Sequence, residues 1–70
     1  MITILIVEDD SSTRLVTRLH LRNEYHVLEA ANGLEALDIL EQQHVDLIIA
    51  DVMMPHMVKQ SQRFLQKMEE

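Results

Sequence analysis

The sequence predicts an α/β domain, a three-layer doubly wound parallel sheet, and two observations carry that expectation. Two short runs, ITILIV at residues 2–7 and LIIA at 47–50, are apolar on both alternating sets of positions. That is the pattern of strands covered on both faces of a parallel sheet. Between them lie two stretches with helical spacing, separated by a further strand-like run, so the chain reads strand, helix, strand, helix, strand.

Residues 2–7 are dense in β-branched side chains and form the first strand. Ser11, Ser12 and Thr13 then offer hydroxyls suited to an N-cap, and Leu15, Val16 and Leu19 recur at helical spacing with Arg14, Arg18 and Arg22 between them. This spacing predicts a helix over about 12–22, with the arginines as a solvated stripe. After the polar Asn23-Glu24 turn, YHVLEA at 25–30 predicts a second strand, nearer the sheet edge. Asn32-Gly33 is a turn signal that opens LEALDILEQQ, where Leu34, Leu37 and Leu40 with Ala36 form an apolar stripe and the glutamates face water. VDLIIAD, residues 45–51, predicts a third strand that is buried on both faces and ends at Asp51. Right-handed crossovers let the second and third strands lie on opposite sides of the first, and the predicted strand order is 2-1-3. After Pro55 the composition turns polar: VKQSQRFLQKMEE, 58–70, can form a loose amphipathic helix through Val58, Phe64, Leu65 and Met68, or fray as a tail.

Seventy residues make at most one small domain, and a chain of this size buries only about 60% of the surface that its unfolded form exposes. With 47% hydrophobic residues but only Tyr25 and Phe64 aromatic, the core must be aliphatic and no aromatic binding platform is available. The absence of cysteine excludes disulfides and thiolate metal sites and fits a reducing, cytoplasmic setting. The apolar start meets Glu8, Asp9 and Asp10 too soon for a signal peptide or a membrane span. Six basic against twelve acidic residues, a net charge of −6, argue against nucleic acid as a partner. His20, His26, His44 and His56 have no spacing that converges on a metal, and Met53, Met54, Met57 and Met68 read as core or interface filler.

The carboxylates are distributed less evenly than the totals suggest. In an open parallel sheet all strand carboxyl ends share one edge, and a ligand crevice forms where neighbouring connections leave in opposite directions. Here that crevice lies between the first and third strands, whose ends carry Glu8, Asp9 and Asp10 on one side and Asp51 on the other. A single aspartate at a strand end is most often a helix cap. Two acidic groups at both ends instead suit Mg²⁺, which takes one or two carboxylates, keeps several waters and bridges to phosphate oxygens. Beside such an ion, Asp51 can act as a nucleophile toward a phosphoryl group.

The segments ILIVEDD, ANGLEAL and DLIIADVMMPHM resemble the N-terminal half of a two-component response-regulator receiver domain, and the resemblance covers residues 2–57. It implies half of a flavodoxin-like receiver fold, with Asp51 as the phospho-acceptor. It also implies a Mg²⁺ held by Glu8, Asp9 and Asp51, with Met53 supplying a backbone carbonyl. Asp10 lies one place beyond the acidic pair and reads as a helix-start residue. The implied function is that of a non-enzymatic cytoplasmic signalling module whose partner is a sensor histidine kinase, for which the first helix is an implied docking element.

The resemblance stops where the family continues with Asp-Gly and this chain reads MPHMVKQ. The expected organisation is a truncated receiver domain over 1–57 and a divergent C-terminal helix or tail over 58–70. No residue matches the family's phosphoryl-sensing Ser or Thr or its paired Lys. A phosphoryl group on Asp51 would therefore lack a charge-assisted partner worth roughly 1.5–3 kcal/mol, so phosphorylation should be slow or short-lived. Without further strands the third strand becomes an edge with unpaired N–H and C=O groups, which predicts a homodimer paired along the edge of residues 46–51, completing the sheet across a two-fold axis. Exchange of the C-terminal segment between chains is another route. A non-switching dimeric half-domain, acting as an interaction or structural fragment, is the competing function. A phosphate-ester hydrolase would need a general acid two residues after Asp51, and Met53 stands there.

Overall fold

The computed structural model describes residues 1–50, so the expectations for Asp51, Met53 and residues 58–70 lie outside the described residues. Five elements follow in the expected sequence: β1 (Thr3–Val7), α1 (Ser11–Leu21), β2 (His26–Ala30), α2 (Gly33–Gln42) and β3 (Leu47–Ala50). They build a parallel sheet of order β2-β1-β3, in which β1 is central. Its register pairs Leu5 with Leu28 on one side and with Ile48 on the other, and Val7 with Ala30 and Ala50.

Because strand side chains alternate, that register sorts the sheet into two faces. Leu5 and Val7 share a face with Leu28, Ala30, Ile48 and Ala50, and there α2 packs through Ala36, Ile39 and Leu40 to make the hydrophobic cluster. The opposite face carries Ile4 and Ile6, equally buried, together with Glu29 and the outer residues of β3. Here α1 is held by Arg14 and Arg18, both directed at Glu29. The helices thus lie on opposite faces, as a doubly wound sheet requires.

The helix termini follow from local chemistry. Asp10 is the N-cap of α1, its side chain accepting from the Ser12 N–H, so the hydroxyl residues expected to cap lie inside the helix or its first turn. An aspartate one residue earlier accepts as well as a serine and adds a negative charge near the positive helix end. Asn32 caps α2 by accepting from the Glu35 N–H at 2.9 Å, while the Glu35 carboxylate turns back to the Ala31 N–H at 3.0 Å. This reciprocal pair resembles a capping box and fixes where α2 starts.

Three expectations need correction. Of the three arginines expected as a solvated stripe only Arg22 is exposed: Arg14 and Arg18 face the sheet because Glu29 offers them a counter-charge, and Leu15, Val16 and Leu19 are left exposed. In α2 the buried stripe is Ala36 and Leu37 with Ile39 and Leu40 beside them, and Leu34 is exposed. Nor is β3 buried on both faces: Leu47 is 52% and Ile49 40% exposed, because α1 is drawn by its ion pairs over β2 and does not reach the far side of β1.

The start of β3 is pinned to that of β1. The Asp46 N–H donates to the Thr3 carbonyl at 2.9 Å, and Thr3 N–H returns a bond to Asp46 Oδ2 at 2.8 Å. His44 Nε2 lies 2.8 Å from the other carboxylate oxygen. The Thr3 amide, then His44, hold the Asp46 carboxyl below its ordinary value of 3.8. Among the described residues no helix is long and apolar enough to cross a membrane.

Candidate functional site

The carboxyl ends of β1 and β3 lie side by side, because Val7 pairs in register with Ala50. In the chain, Glu8 follows Val7 and Asp51 follows Ala50. Leaving β1, the main chain is fixed at once: the Glu8 N–H donates to the Ala30 carbonyl of β2 at 3.0 Å. Arg14 Nη1 donates to the Glu8 carbonyl at 2.7 Å. The backbone on both sides of the Glu8 side chain is therefore tied, once to the sheet and once to the helix.

The next turn closes around carboxylates. The Asp10 N–H donates to Glu8 Oε1 at 3.1 Å, which turns the Glu8 side chain toward the helix start. Asp10 in turn accepts the Thr13 hydroxyl at 2.6 Å and the Ser12 N–H at 3.3 Å. The Thr13 hydroxyl, then the Ser12 amide, lower the Asp10 carboxyl below its ordinary value of 3.8. Asp10 is thus committed to its cap, in agreement with its reading as a helix-start residue. Glu8 is half-buried and Asp9 exposed.

Behind this loop lies a cluster that the sequence did not disclose. Arg14 Nε sits 3.3 Å from Glu29 Oε1, and Arg18 Nε sits 3.8 Å from Glu29 Oε2. The Arg18 nitrogen is buried without a hydrogen-bond partner, so its tie to Glu29 is Coulombic. Glu29 is on β2, in a different element from either arginine, and no spacing rule links them.

Of the expected site residues, the structure brings Glu8 and Asp9 together at the end of β1, while Asp51 and Met53 fall outside the described residues. Among the described residues no group of three or more His, Asp or Glu could hold a metal ion. What is present supplies the ligand chemistry of part of a Mg²⁺ site: hard carboxylate oxygens directly after β1, on a half-buried Glu8 and an exposed Asp9.

The family model described as the response regulator receiver domain matches residues 4–69. Among curated relatives, histidine kinase P4 of Formosa agariphila is 48% identical over 56 residues, covering 80% of this chain and 4% of the relative. The two-component response regulator-like APRR7 of Arabidopsis thaliana is 41% identical over 59 residues, covering 80% of this chain and 8% of the relative. The transcriptional regulatory protein AfsQ1 of Streptomyces coelicolor is 41% identical over 56 residues, covering 79% of this chain and 25% of the relative. The chain therefore spans a quarter or less of the length of each of these relatives. No solved structure matches it significantly.

Proposed function

The chain belongs to the response regulator receiver domain family, and from that premise we propose that it is a phosphoryl-accepting module of two-component phosphorelay signalling. Asp51 is the acceptor. Glu8, Asp9 and Asp51, with the Met53 backbone carbonyl, hold a Mg²⁺, and a sensor histidine kinase supplies the phosphoryl group. The observation that carries this reading is the in-register pairing of Val7 with Ala50, the residues that immediately precede Glu8 and Asp51 in the chain.

Bound Mg²⁺ supplies positive charge to the phosphoryl oxygens during in-line transfer. The chain's own residues do the rest. A carboxylate oxygen of Asp51 forms the new bond to phosphorus as the bond to the donor nitrogen breaks, and the electron pair leaves with the donor. Glu8 and Asp9 carry the negative charge that attracts the cation, and their mutual repulsion with Asp51 is relieved only when it is bound. In this reading the chain is not an enzyme acting on a released substrate. It works in the cytoplasm through its partner, with residues 1–57 as the receiver portion and 58–70 as a divergent segment. The relatives' names, a histidine kinase among them, support a kinase as the phosphoryl source.

A second reading is favoured by one observation: on β3, which pairs only with β1 among the described residues, Leu47 and Ile49 are exposed. A homodimer paired along the edge of residues 46–51 would satisfy that edge and set these side chains beside those of the second copy. In that case the chain serves as a non-switching interaction fragment. Light scattering coupled to size-exclusion chromatography tests the dimer, and a monomer at all concentrations sinks it.

The acceptor reading is tested by incubation with acetyl phosphate and Mg²⁺, followed by mass spectrometry of the Asp51 peptide. One phosphoryl increment on Asp51, abolished by Asp51→Asn, is the expected result. A folded chain that gains no increment overturns it.

A further inference from the structure

The loop that carries Glu8 and Asp9 has no strand ladder to shape it, since β1 ends at Val7 and α1 begins at Ser11. Its form is set by a few bonds, and two adjacent residues of β2 provide the reference. Ala30 takes the Glu8 N–H at 3.0 Å. Glu29 takes the Arg14 guanidinium at 3.3 Å, and that guanidinium reaches the Glu8 carbonyl at 2.7 Å. The Arg14 side chain is only 20% exposed, so the bridge is partly shielded from solvent. A short bond from a charged donor to a carbonyl is among the stronger hydrogen bonds available to a side chain. The planar fork of arginine serves both acceptors at once, which the single ammonium of lysine cannot do with the same geometry.

Charge gives the bridge a second role. A cation of the protein so near an acidic pair competes with a metal ion for the same oxygens. Glu29 offsets the Arg14 charge from the β2 side at 3.3 Å and is itself shared with Arg18 at 3.8 Å.

We propose that Arg14 is a positioning residue for the acidic pair: through the Glu8 carbonyl it holds Glu8 and Asp9 in the arrangement that receives a divalent cation, and Glu29 orients Arg14 for that task. This rests on the reading of Glu8 and Asp9 as cation ligands. Arg14 touches neither the cation nor the phosphoryl group and acts only through the main chain of Glu8.

The test is a Mn²⁺ titration of the full chain, read by electron paramagnetic resonance of the free ion with Mg²⁺ as competitor, on the parent, R14A, R14K and E29Q. Thermal melts confirm that each variant is folded. Loss of a group that orients a ligand typically weakens metal affinity about 10- to 100-fold, and R14A is expected at the lower end, about 10-fold. The weakening expected in R14A runs against its charge change, since that variant leaves a more negative protein; R14K should recover part of the loss, and E29Q, which removes no ligand, should also weaken binding. Amide exchange should rise at Asp9 and Asp10 in R14A and stay at the parent level along β2. Should R14A not fold, R14K and E29Q carry the comparison, and parent affinity in both overturns the proposal. Mn²⁺ binding by the parent with unchanged affinity in folded R14A overturns this inference alone. No binding by the parent overturns the cation reading, and the inference falls with it.

Discussion

The two faces of the sheet are built on different principles. On the α2 face, Leu5, Val7, Ala30 and Ala36 are buried among Leu28, Ile39, Leu40 and Ile48, and the packing is aliphatic throughout. On the α1 face, Ile4 and Ile6 are as well buried, yet the helix above them is tied by Arg14 and Arg18 to Glu29 while its Leu15 and Leu19 face outward. One face holds the fold together by removing apolar area from water, at about 25 cal/mol per Å². The other places charges near the acidic loop and leaves Leu15, Val16 and Leu19 uncovered. Apolar burial thus serves both faces, and only the α1 face adds the ion pairs that reach the acidic loop.

Substitutions can break this contrast. Leu5 is fully buried on the α2 face, and Leu5→Ala should cost about 2–5 kcal/mol, from lost transfer energy and the cavity left behind. In a small domain with a thin margin, urea melts should show loss of the folded state at ordinary temperature. A cost below ~1 kcal/mol would mean that the α2 face is not the main core.

Asn32→Ala removes the cap of α2 and should cost ~1 kcal/mol, read as a lowered urea midpoint with unchanged slope. On the other face, Leu19→Gln alters a residue that is 42% exposed and should move stability by no more than ~0.5 kcal/mol. A large loss there would show that the outward leucines of α1 are covered in solution.

The smallest effect concerns acid. Asp10 and Asp46 both have carboxyls lowered in the folded state, by the Thr13 hydroxyl and the Thr3 amide respectively, from an ordinary value of 3.8. A group whose folded value is depressed favours folding above its unfolded value, and that contribution is lost as pH falls through the folded one. Thermal stability should therefore drop as pH falls below 3.8, with a shallower slope in Asp46→Asn. Because both groups are exposed, solvent screening keeps the change small. An unchanged slope would show that the clip between β1 and β3 carries no stability.

Much of the scaffold was legible because periodicity encodes it. ITILIV and LIIA mark strands that need cover, and right-handed crossovers allow the 2-1-3 order that the sheet adopts. The acidic residues at the end of β1 were legible for the same reason, since the strand's end is where its apolar run stops. Orientation of α1 was not. Leu15, Val16 and Leu19 lie off the side that carries Arg14 and Arg18, and spacing alone cannot say which side meets the sheet. Glu29, on a different strand, decides it by offering a counter-charge that reaches Arg14 and Arg18. The bridge from Arg14 to the Glu8 carbonyl was illegible too, because main-chain acceptors leave no mark in a sequence. The cap of α1 lay between these cases: its neighbourhood was clear, but Asp10 prevailed over three nearby hydroxyls.

That the ends of β1 and β3 form one cation and phosphoryl site is tested most directly by following backbone amide shifts in a ¹⁵N-labelled chain titrated with Mg²⁺. The predicted result is a set of saturable shifts concentrated at Glu8, Asp9, Asp10, Ala50 and Asp51, lost in Asp51→Asn. Shifts centred instead on His44 and Asp46 at the opposite end of the sheet, or no saturable shifts in a folded chain, would contradict it.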